Sequence, residues 1–390
     1  MFIKSTKVLL LFSLLLALSS CNTNLNPSNW FGNDEGEQPA ELVEIQPEVE
    51  LRRQWSIRVG NGQGENYSLL KPEVDGDRIF IASQDGNVVA ADVATGDDIW
   101  SVRLRESVTG GVGAARGIVM LGTEDAEVIV LSQEDGELLW RTRVSSEVLS
   151  APRTNGDVVV LQTVDDKLVA LDFTTGEQRW IYETTLPALT LRGTSRPVIA
   201  NDVVIAGFSN GTMIAVAADD GIWRWEERVA VPQGRYDIER VIDVDGELLL
   251  TGNVVLAASY QGNLMGFDVQ SGSRVWGIQG SSYHGLAQGF GNLYLCDERS
   301  HVIAIRNNTD TEVWRNESLD LREVTAPTAF GNYVAVADYE GYVHLLSQVD
   351  GSIVGRIQTD DEGVRAGLVV ADSRLLVYGN SGNLTALAIQ

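Results

Sequence analysis

The chain has 390 residues, with 29 basic and 54 acidic side chains, so its formal net charge is −25. A surface this acidic repels phosphate backbones and anionic lipid head groups, which makes nucleic acid an unfavourable partner. Only two cysteines are present, which excludes a fold held together by a framework of disulfides.

The first twenty residues predict a lipoprotein signal peptide. Lys4 and Lys7 precede an apolar run over residues 8–18 and then small residues, which is the order of a secretory signal. The run is too short to span a bilayer, because a spanning helix needs ~20 apolar residues. The sequence Leu-Ser-Ser-Cys at 18–21 resembles the lipobox of bacterial lipoproteins, which implies acylation of Cys21. The alternative is an ordinary secretory cleavage site beside an incidental cysteine.

Residues 21–49 predict a lipidated flexible tether, because they are polar, acidic and proline-containing without a sustained period. Asn22 follows the acylated cysteine, where an aspartate in the lipoprotein pattern favours retention in the inner membrane. We therefore expect a lipid anchor in the outer membrane, on its periplasmic face. Trp30 and Phe31 form an aromatic pair within the tether, which is either a short docking patch or incidental.

Residues 50–390 repeat a unit of about 40 residues. Each unit ends in two strand-like runs joined by a tight turn, as in GNVVAADVATGDDIW at 86–100. The glycine of the turn supplies a positive φ, and the tryptophan is expected to pack its ring between neighbouring units. The equivalent positions are Trp100, Trp140, Trp180, Trp225, Trp276, Trp314 and, as a departure, Gly355.

Four short strands per unit predict an all-β fold, an eight-bladed β-propeller of four-stranded antiparallel blades. The eighth unit supplies three strands before Gln390, and a strand-like run around Trp55 matches its missing fourth strand. We therefore expect the N-terminal strand to complete the last blade and close the ring, which removes two open sheet edges. Gly355 in place of tryptophan is expected to loosen the seventh blade.

The repeats resemble those of pyrroloquinoline-quinone enzymes, in which A-x-D-x-x-T-G-x-x-x-W recurs, as in the unit ending at Trp100. Those enzymes hold their cofactor above a vicinal cysteine pair, whereas Cys296 is the one cysteine after Cys21. We interpret Cys296 as a small buried hydrophobe. The three histidines at 284, 301 and 344 lack the spacing of zinc ligands. We predict no catalytic residues, no cofactor and no metal.

Three connections between units are long, against about 11 to 13 residues for the others. They have about 17 residues after Trp55, where the sequence is mostly polar and glycine-rich, about 17 after Trp180 and about 23 after Trp225. In a propeller these connections emerge on one face, so two that bracket the same blade should lie side by side. Apolar anchors beside basic and acidic groups have the composition of a binding hot spot. Alternatively, the leucines cap the fourth blade and the charges are solvated. The candidate partner-binding residues are Leu189, Leu191, Arg192, Arg240, Asp243 and Asp245.

The lipoprotein signal, the acidic tether, the eight blades and the L-x-L-R-G and D-x-D loops together resemble the BamB family, the propeller lipoproteins of the β-barrel assembly machinery. The resemblance implies a non-catalytic scaffold that binds the POTRA domains of the BamA insertase. Leu189, Leu191 and Arg192 match the first loop of the family, and Asp243 and Asp245 match the second. It also implies other Bam subunits and unfolded outer-membrane protein clients as partners.

Two other functions stay open from the residues themselves. A periplasmic ligand-binding propeller would hold its ligand in the central funnel and leave the leucine and aspartate patch unused. A quinone-dependent dehydrogenase would show cofactor absorbance and a central Ca²⁺, although the cysteine count speaks against it.

Overall fold

Every regular element that the computed structural model describes is a β-strand. None of the described residues forms a helix with the length and apolar character that a membrane crossing requires. Cys21, Trp30 and Phe31 lie outside the described residues. The description covers residues 37–64, 68–187, 189–190, 193–231, 242, 244, 246–259, 262–282 and 284–390.

An N-terminal strand, β1 (Leu51–Arg58), is followed by the strands of the blades in chain order. The first four blades are β-sheets of four consecutive strands, each strand antiparallel to its neighbour. The strands of these blades are β2 (Glu73–Asp75), β3 (Arg78–Ala82), β4 (Asn87–Asp92) and β5 (Asp98–Arg103); β6 (Val108–Ala115), β7 (Ile118–Thr123), β8 (Glu127–Ser132) and β9 (Leu138–Arg143); β10 (Arg153–Thr154), β11 (Val158–Thr163), β12 (Lys167–Asp172) and β13 (Gln178–Glu183); and β14 (Val198–Ala200), β15 (Val203–Gly207), β16 (Thr212–Ala217) and β17 (Trp223–Arg228).

Blades 5 to 7 have the same order, and blade 8 contains the last three strands of the chain. The strands of these blades are β18 (Leu249–Thr251), β19 (Val254–Ala258), β20 (Asn263–Asp268) and β21 (Arg274–Gln279); β22 (Ala287–Gly289), β23 (Asn292–Cys296), β24 (Val302–Arg306) and β25 (Glu312–Asn316); β26 (Thr328–Phe330), β27 (Tyr333–Ala337), β28 (Tyr342–Ser347) and β29 (Ile353–Gln358); and β30 (Val369–Ala371), β31 (Arg374–Tyr378) and β32 (Asn383–Ile389).

Strand β1 completes blade 8, as the truncated last repeat predicts. It pairs antiparallel with β32, Trp55 lies opposite Ala386, and the sheet order is β1-β32-β31-β30. The hydroxyls of Ser56 and Thr385 are 3.0 Å apart across this pair. The ring is therefore closed by hydrogen bonds between the two ends of the repeat region, and the predicted eight-bladed fold is confirmed.

The hydrophobic core lies in the spaces between neighbouring blades. Val160 of blade 3 packs in one cluster with Ile214 of blade 4, and Ile205 of blade 4 packs with Val255 of blade 5. A middle strand such as β16 is buried along its whole length, because each of its faces meets another blade. This explains why the middle strands are continuous apolar runs instead of alternating ones.

A tryptophan joins each of blades 1 to 6, and blade 8, to the next blade, as predicted. In blade 2, Nε1 of Trp140 donates a hydrogen bond to the carbonyl oxygen of Phe173 in blade 3 at 3.0 Å. Gly176 lies on the indole ring, where a Cβ atom would be 2.5 Å from the ring carbon Cε3. The turn glycine is thus required by its φ of 72° and by this close approach. The other indoles that donate to a carbonyl of the next blade are those of Trp55, Trp100, Trp180, Trp225, Trp276 and Trp314.

Part of the range expected to be a flexible tether, 21–49, lies against the ring. The backbone N–H of Ala40 donates to the carbonyl oxygen of Asp320 at 2.9 Å. The guanidinium of Arg322, which is almost fully buried, donates back to the carbonyl oxygen of Ala40 at 3.0 Å. We refer to residues 40–49 as the N-terminal strap.

The strap ends at the blade 7 position where the repeat lacks its tryptophan. Arg356 donates to the carbonyl oxygen of Val43 at 2.9 Å, and the N–H of Val49 donates to the carbonyl oxygen of Val354 at 3.1 Å. A Cβ atom on Gly355 would be 2.9 Å from the carbonyl oxygen of Val49. Backbone of the strap therefore covers the surface that a tryptophan covers in the other blades.

Candidate functional site

The two long connections lie on either side of blade 4. Loop A, residues 184–197, runs from the last strand of blade 3 to the first strand of blade 4, and loop B, residues 229–248, runs from blade 4 to blade 5. Both connect an outermost strand with an innermost strand, so both leave the ring on the same side. We refer to this side as the connection face.

Leu189 is the one predicted partner-binding residue among the described residues. Its side chain is 48% exposed, and Leu186 of the same loop is 47% exposed. Leucines that merely capped blade 4 would lose most of this exposure, so the exposure favours a surface for a partner. The other predicted partner-binding residues lie outside the described residues and stay a prediction: Leu191, Arg192, Arg240, Asp243 and Asp245.

Loop B is packed onto blade 4 through two buried side chains, Ile242 and Val244, which are 3% and 0% exposed. A Cβ atom on Gly207 would be 2.7 Å from Cγ1 of Val244, and one on Gly211 would be 2.4 Å from Cδ1 of Ile242. Blade 4 therefore carries a glycine at each point where loop B approaches. This packing fixes the positions of Ile242 and Val244 on blade 4.

The beginnings of both loops are held by asparagine side chains of the following blade. Nδ2 of Asn210 in blade 4 donates to the hydroxyl of Thr184 in loop A at 3.0 Å. Nδ2 of Asn263 in blade 5 donates to the carbonyl oxygen of Val229 in loop B at 2.9 Å. Each loop therefore starts from a position defined by its neighbouring blade.

The ends of the two loops are joined directly by an ion pair. Nη1 of Arg196 in loop A donates to Oε1 of Glu247 in loop B at 3.1 Å. Nη2 of the same arginine donates to Glu73 of blade 1 at 2.7 Å, and Glu73 also accepts from Arg153 at 2.7 Å. Lys71 contacts the second oxygen of Glu247. We refer to Lys71, Glu73, Arg153, Arg196 and Glu247 as the central ion network.

Both carboxylates of this network are ionised at neutral pH. Burial alone would raise the pKa of Glu247, but Lys71 and Arg196 outweigh it and hold this pKa well below its usual range. Burial likewise opposes ionisation of Glu73, and Arg196 and Arg153 lower its pKa despite it. Buried ion pairs contribute little net stability because of desolvation, but they specify geometry. The network therefore holds the ends of loops A and B in one arrangement around the centre of the ring.

Sequence reasoning did not identify the central ion network. Three of its members adjoin a proline at the start of an innermost strand, namely Lys71, Arg153 and Arg196. A charged residue beside the proline that begins an innermost strand is the local signal that points to these positions. Their partners are not visible in the sequence, since Glu73 and Arg196 are 123 positions apart.

Comparison with known proteins shows the family of the chain. The family model described as Outer membrane protein assembly factor BamB matches residues 84–316 and 298–390. A relative of that name from Pseudomonas aeruginosa is 52% identical over 380 residues, covering 97% of this chain and 98% of the relative. One from Marinobacter adhaerens is 42% identical over 379 residues, covering 97% and 95%. The chain belongs to the BamB family.

Two solved structures have the same fold as this chain. BamB from Moraxella catarrhalis superposes with a TM-score of 0.80 at 27% identity, covering 87% of this chain and 99% of that chain. A quinohemoprotein alcohol dehydrogenase from Comamonas testosteroni has a TM-score of 0.69 at 14% identity, covering 86% of this chain and 76% of that chain. The second likeness concerns the fold alone, because the identity is too low to carry function.

The three histidines of this BamB family member are packed among other residues of the fold. His344 is buried, and its two ring nitrogens lie 3.0 Å from Asp338 and from Arg356. His301 lies between Asp297 of blade 6 and Asp320 of the connection to blade 7. Burial lowers the pKa of His284 to about 4. In the part of the chain that the structure describes, no group of His, Cys, Asp and Glu is arranged to hold a metal ion.

The free thiol of Cys296 is fully buried in blade 6. Burial raises the pKa of this thiol far above its ordinary value, so it is protonated and inert. This confirms the interpretation of Cys296 as a small buried hydrophobe.

Proposed function

We propose that this protein is a non-catalytic scaffold of the outer-membrane β-barrel assembly machinery. The curated relatives that align with nearly the whole chain are outer membrane protein assembly factors, which supports a role with the Bam machinery at the outer membrane. The observation that carries the proposal is the pairing of loops A and B, whose ends are joined by Arg196 and Glu247, together with the exposure of Leu186 and Leu189 in loop A.

The partner of this surface is the set of POTRA domains of the BamA insertase. Burying each leucine of loop A would contribute roughly 1.5–3 kcal/mol, whereas an exposed ion pair contributes about 0–1 kcal/mol. Leu189 and Leu191 therefore set the affinity. Arg192, Arg240 and the two aspartates of loop B set the orientation of the partner.

The proposal includes a lipid anchor at Cys21 in the outer membrane, facing the periplasm. Several acyl chains make membrane attachment stable where one chain does not. The other Bam subunits and unfolded outer-membrane proteins are further partners, the latter through strand addition at blade edges.

A binding titration against the purified POTRA domains tests the partner surface. The lipid-free chain from residue 22 is compared with Leu189→Ala/Leu191→Ala and with Asp243→Ala/Asp245→Ala. We expect the leucine pair to lose at least ~2 kcal/mol of binding free energy and the aspartate pair to lose less. Leu139→Ala is the matched control, because Leu139 is 50% exposed on the outer strand of blade 2, away from both loops.

Equal binding by the leucine variant and by the control, with unchanged circular dichroism, would show that loop A is not the partner surface. A labelling experiment tests the anchor separately, since Cys21→Ser should abolish incorporation of radioactive palmitate and release the protein from membranes. Retention of the label by the Cys21→Ser variant would contradict the anchor.

A further inference from the structure

A cavity of about 390 Å³ lies at the centre of the ring, where the connections of all eight blades reach the innermost strands. Most of its lining residues lie just before those strands or at their start, so the cavity lies toward the connection face. The volume is within the usual range of small-ligand sites, ~300–1,000 Å³. Most of the wall is apolar or small, with leucine side chains contributed by five different blades: Leu69, Leu149, Leu249, Leu286 and Leu368.

Part of the wall of this cavity is charged. Lys71, Arg196 and Glu247 of the central ion network line it, together with Arg365 from the connection to blade 8. The network combines three cations with two carboxylates. It therefore carries one excess positive charge, at the centre of a chain whose formal net charge is −25. An unpaired charge in a partly buried site is costly, so the network favours an anion as its ligand.

Lys71 is the member of the network that is free to contact such an anion. The side chain of Arg196 is only 8% exposed, and both of its terminal nitrogens donate to glutamates. The side chain of Lys71 is 25% exposed, and its ammonium has three N–H donors. Among the described residues, Glu247 is the one hydrogen-bond acceptor of Lys71, which leaves further donors on this ammonium for a ligand.

We infer that the central cavity binds a small monocarboxylate with a compact apolar body. The carboxylate contacts the ammonium of Lys71, and the apolar body lies against the leucines on the remaining wall. A neutral molecule of the same shape leaves the excess charge of the network unpaired. This site is distinct from the partner surface, and the inference does not depend on which protein binds loops A and B.

Isothermal titration with 3-phenylpropionate tests the inference, with the lipid-free chain from residue 22 as the receptor. The uncharged amide, 3-phenylpropanamide, has nearly the same shape and serves as the ligand control. We expect the acid to bind at least tenfold more tightly than the amide. Lys71→Met should weaken binding of the acid at least tenfold, whereas Lys71→Arg should retain most of it.

A second variant fills the cavity without changing any charge. Gly367 lines the cavity, and a Cβ atom there would meet only Cβ of Ala326, at 3.8 Å. Gly367→Leu therefore extends a side chain into the cavity with no backbone clash, and should abolish binding of the acid. Lys167→Met is the matched control, because Lys167 pairs with Asp165 on blade 3 outside the cavity.

Three results would overturn the inference. The first is that 3-phenylpropionate does not bind to the unchanged chain at ten times the concentration of a millimolar dissociation constant, which corresponds to a binding free energy of about −4 kcal/mol. The second is equal binding of the acid and the amide. The third is unchanged binding of the acid in Gly367→Leu. Gly367→Leu tests the cavity without altering the central ion network, which Lys71→Met changes.

Discussion

The blades of the ring are joined in two different ways. Between blades 2 and 3, the ring of Trp140 packs on Gly176, and its indole nitrogen donates to the next blade. Between blades 7 and 8 the corresponding position is Gly355, and the backbone of the strap at Val49 lies over it. One joint is made by a side chain of the repeat, and the other by a separate segment of the chain.

The difference between the two joints shows that the strap contributes to the packing of the ring. Val49 packs against the core cluster between blades 7 and 8, and Leu42 packs against the cluster between blades 6 and 7. The strap is therefore part of the ring, and the missing tryptophan does not leave blade 7 open. The terminal segment that makes this joint can, however, be removed without removing a strand from any blade.

The largest expected effect is at a tryptophan joint. Trp140→Ala should lower the free energy of unfolding by about 3–5 kcal/mol, because it removes a large buried ring together with its hydrogen bond. Chemical denaturation measures this change, and Leu139→Ala on the same strand is the control, with an expected loss within about 0.5 kcal/mol. A loss below about 1 kcal/mol in Trp140→Ala would mean that these tryptophans do not join the blades.

Removal of the strap should have the next largest effect. A chain that begins at Glu50 should be about 2–3 kcal/mol less stable than one that begins at Glu37, since it loses two apolar side chains and several hydrogen bonds. Hydrogen exchange should become faster in β29 and stay unchanged in β9. Equal stability of the two chains would show that the strap only rests on the ring.

Gly355→Trp tests whether the strap replaces the tryptophan. A side chain at position 355 collides with the carbonyl oxygen of Val49, so the indole and the strap exclude each other. We expect a net loss of about 1–2 kcal/mol, because packing of the new indole offsets part of the lost strap contacts. The protease that cleaves after glutamate should cut rapidly at Glu41 and Glu44 in the variant only. Resistance equal to that of the unchanged chain would contradict mutual exclusion.

The smallest effect concerns a polar contact between blades 3 and 4. The hydroxyl of Ser209 donates to one oxygen of Asp166 at 3.1 Å, and within the described structure the other oxygen is buried without a partner. Burial raises the pKa of Asp166 from 3.8 to about 6. Since the folded state binds this proton more tightly than the unfolded state, the stability contribution of Asp166 falls as the pH rises from 3.8 to about 6.

Asp166→Asn should therefore stabilise the protein by about 1 kcal/mol at pH 7.5, a value reduced for partial solvent screening. At pH 3.5 most of this difference should be gone, because the aspartate is then mostly protonated in both states. Thermal unfolding at the two pH values measures the difference. A gain of the same size at both pH values would show that ionisation of Asp166 is not its cause.

The ring itself was predictable from the sequence because the same side chains mark each repeat. The tryptophan and the turn glycine recur at a fixed offset, so the number of blades and the closure by β1 follow from the positions of Trp55 and Gln390. Loops A and B were predictable as neighbours because blade order fixes which connections adjoin. Leu189 is exposed in loop A, and its role in binding a partner stays a prediction.

The strap and the central ion network were not predictable, for two physical reasons. The strap is held largely through backbone groups, such as the N–H of Val49 and the carbonyl oxygen of Ala40, and composition does not encode where a backbone docks. The network joins residues from four blades that the closed ring alone brings together. Single charged residues such as Glu73 and Arg196 carry no local sign of such a partner.

The partner surface is the central claim, and hydrogen exchange with and without the POTRA domains tests it most directly. Binding should slow exchange in loops A and B, and leave the strap and the outer strands of blades 6 to 8 unchanged. Slower exchange confined to the strap or to those blades, with loops A and B unaffected, would contradict the proposed surface.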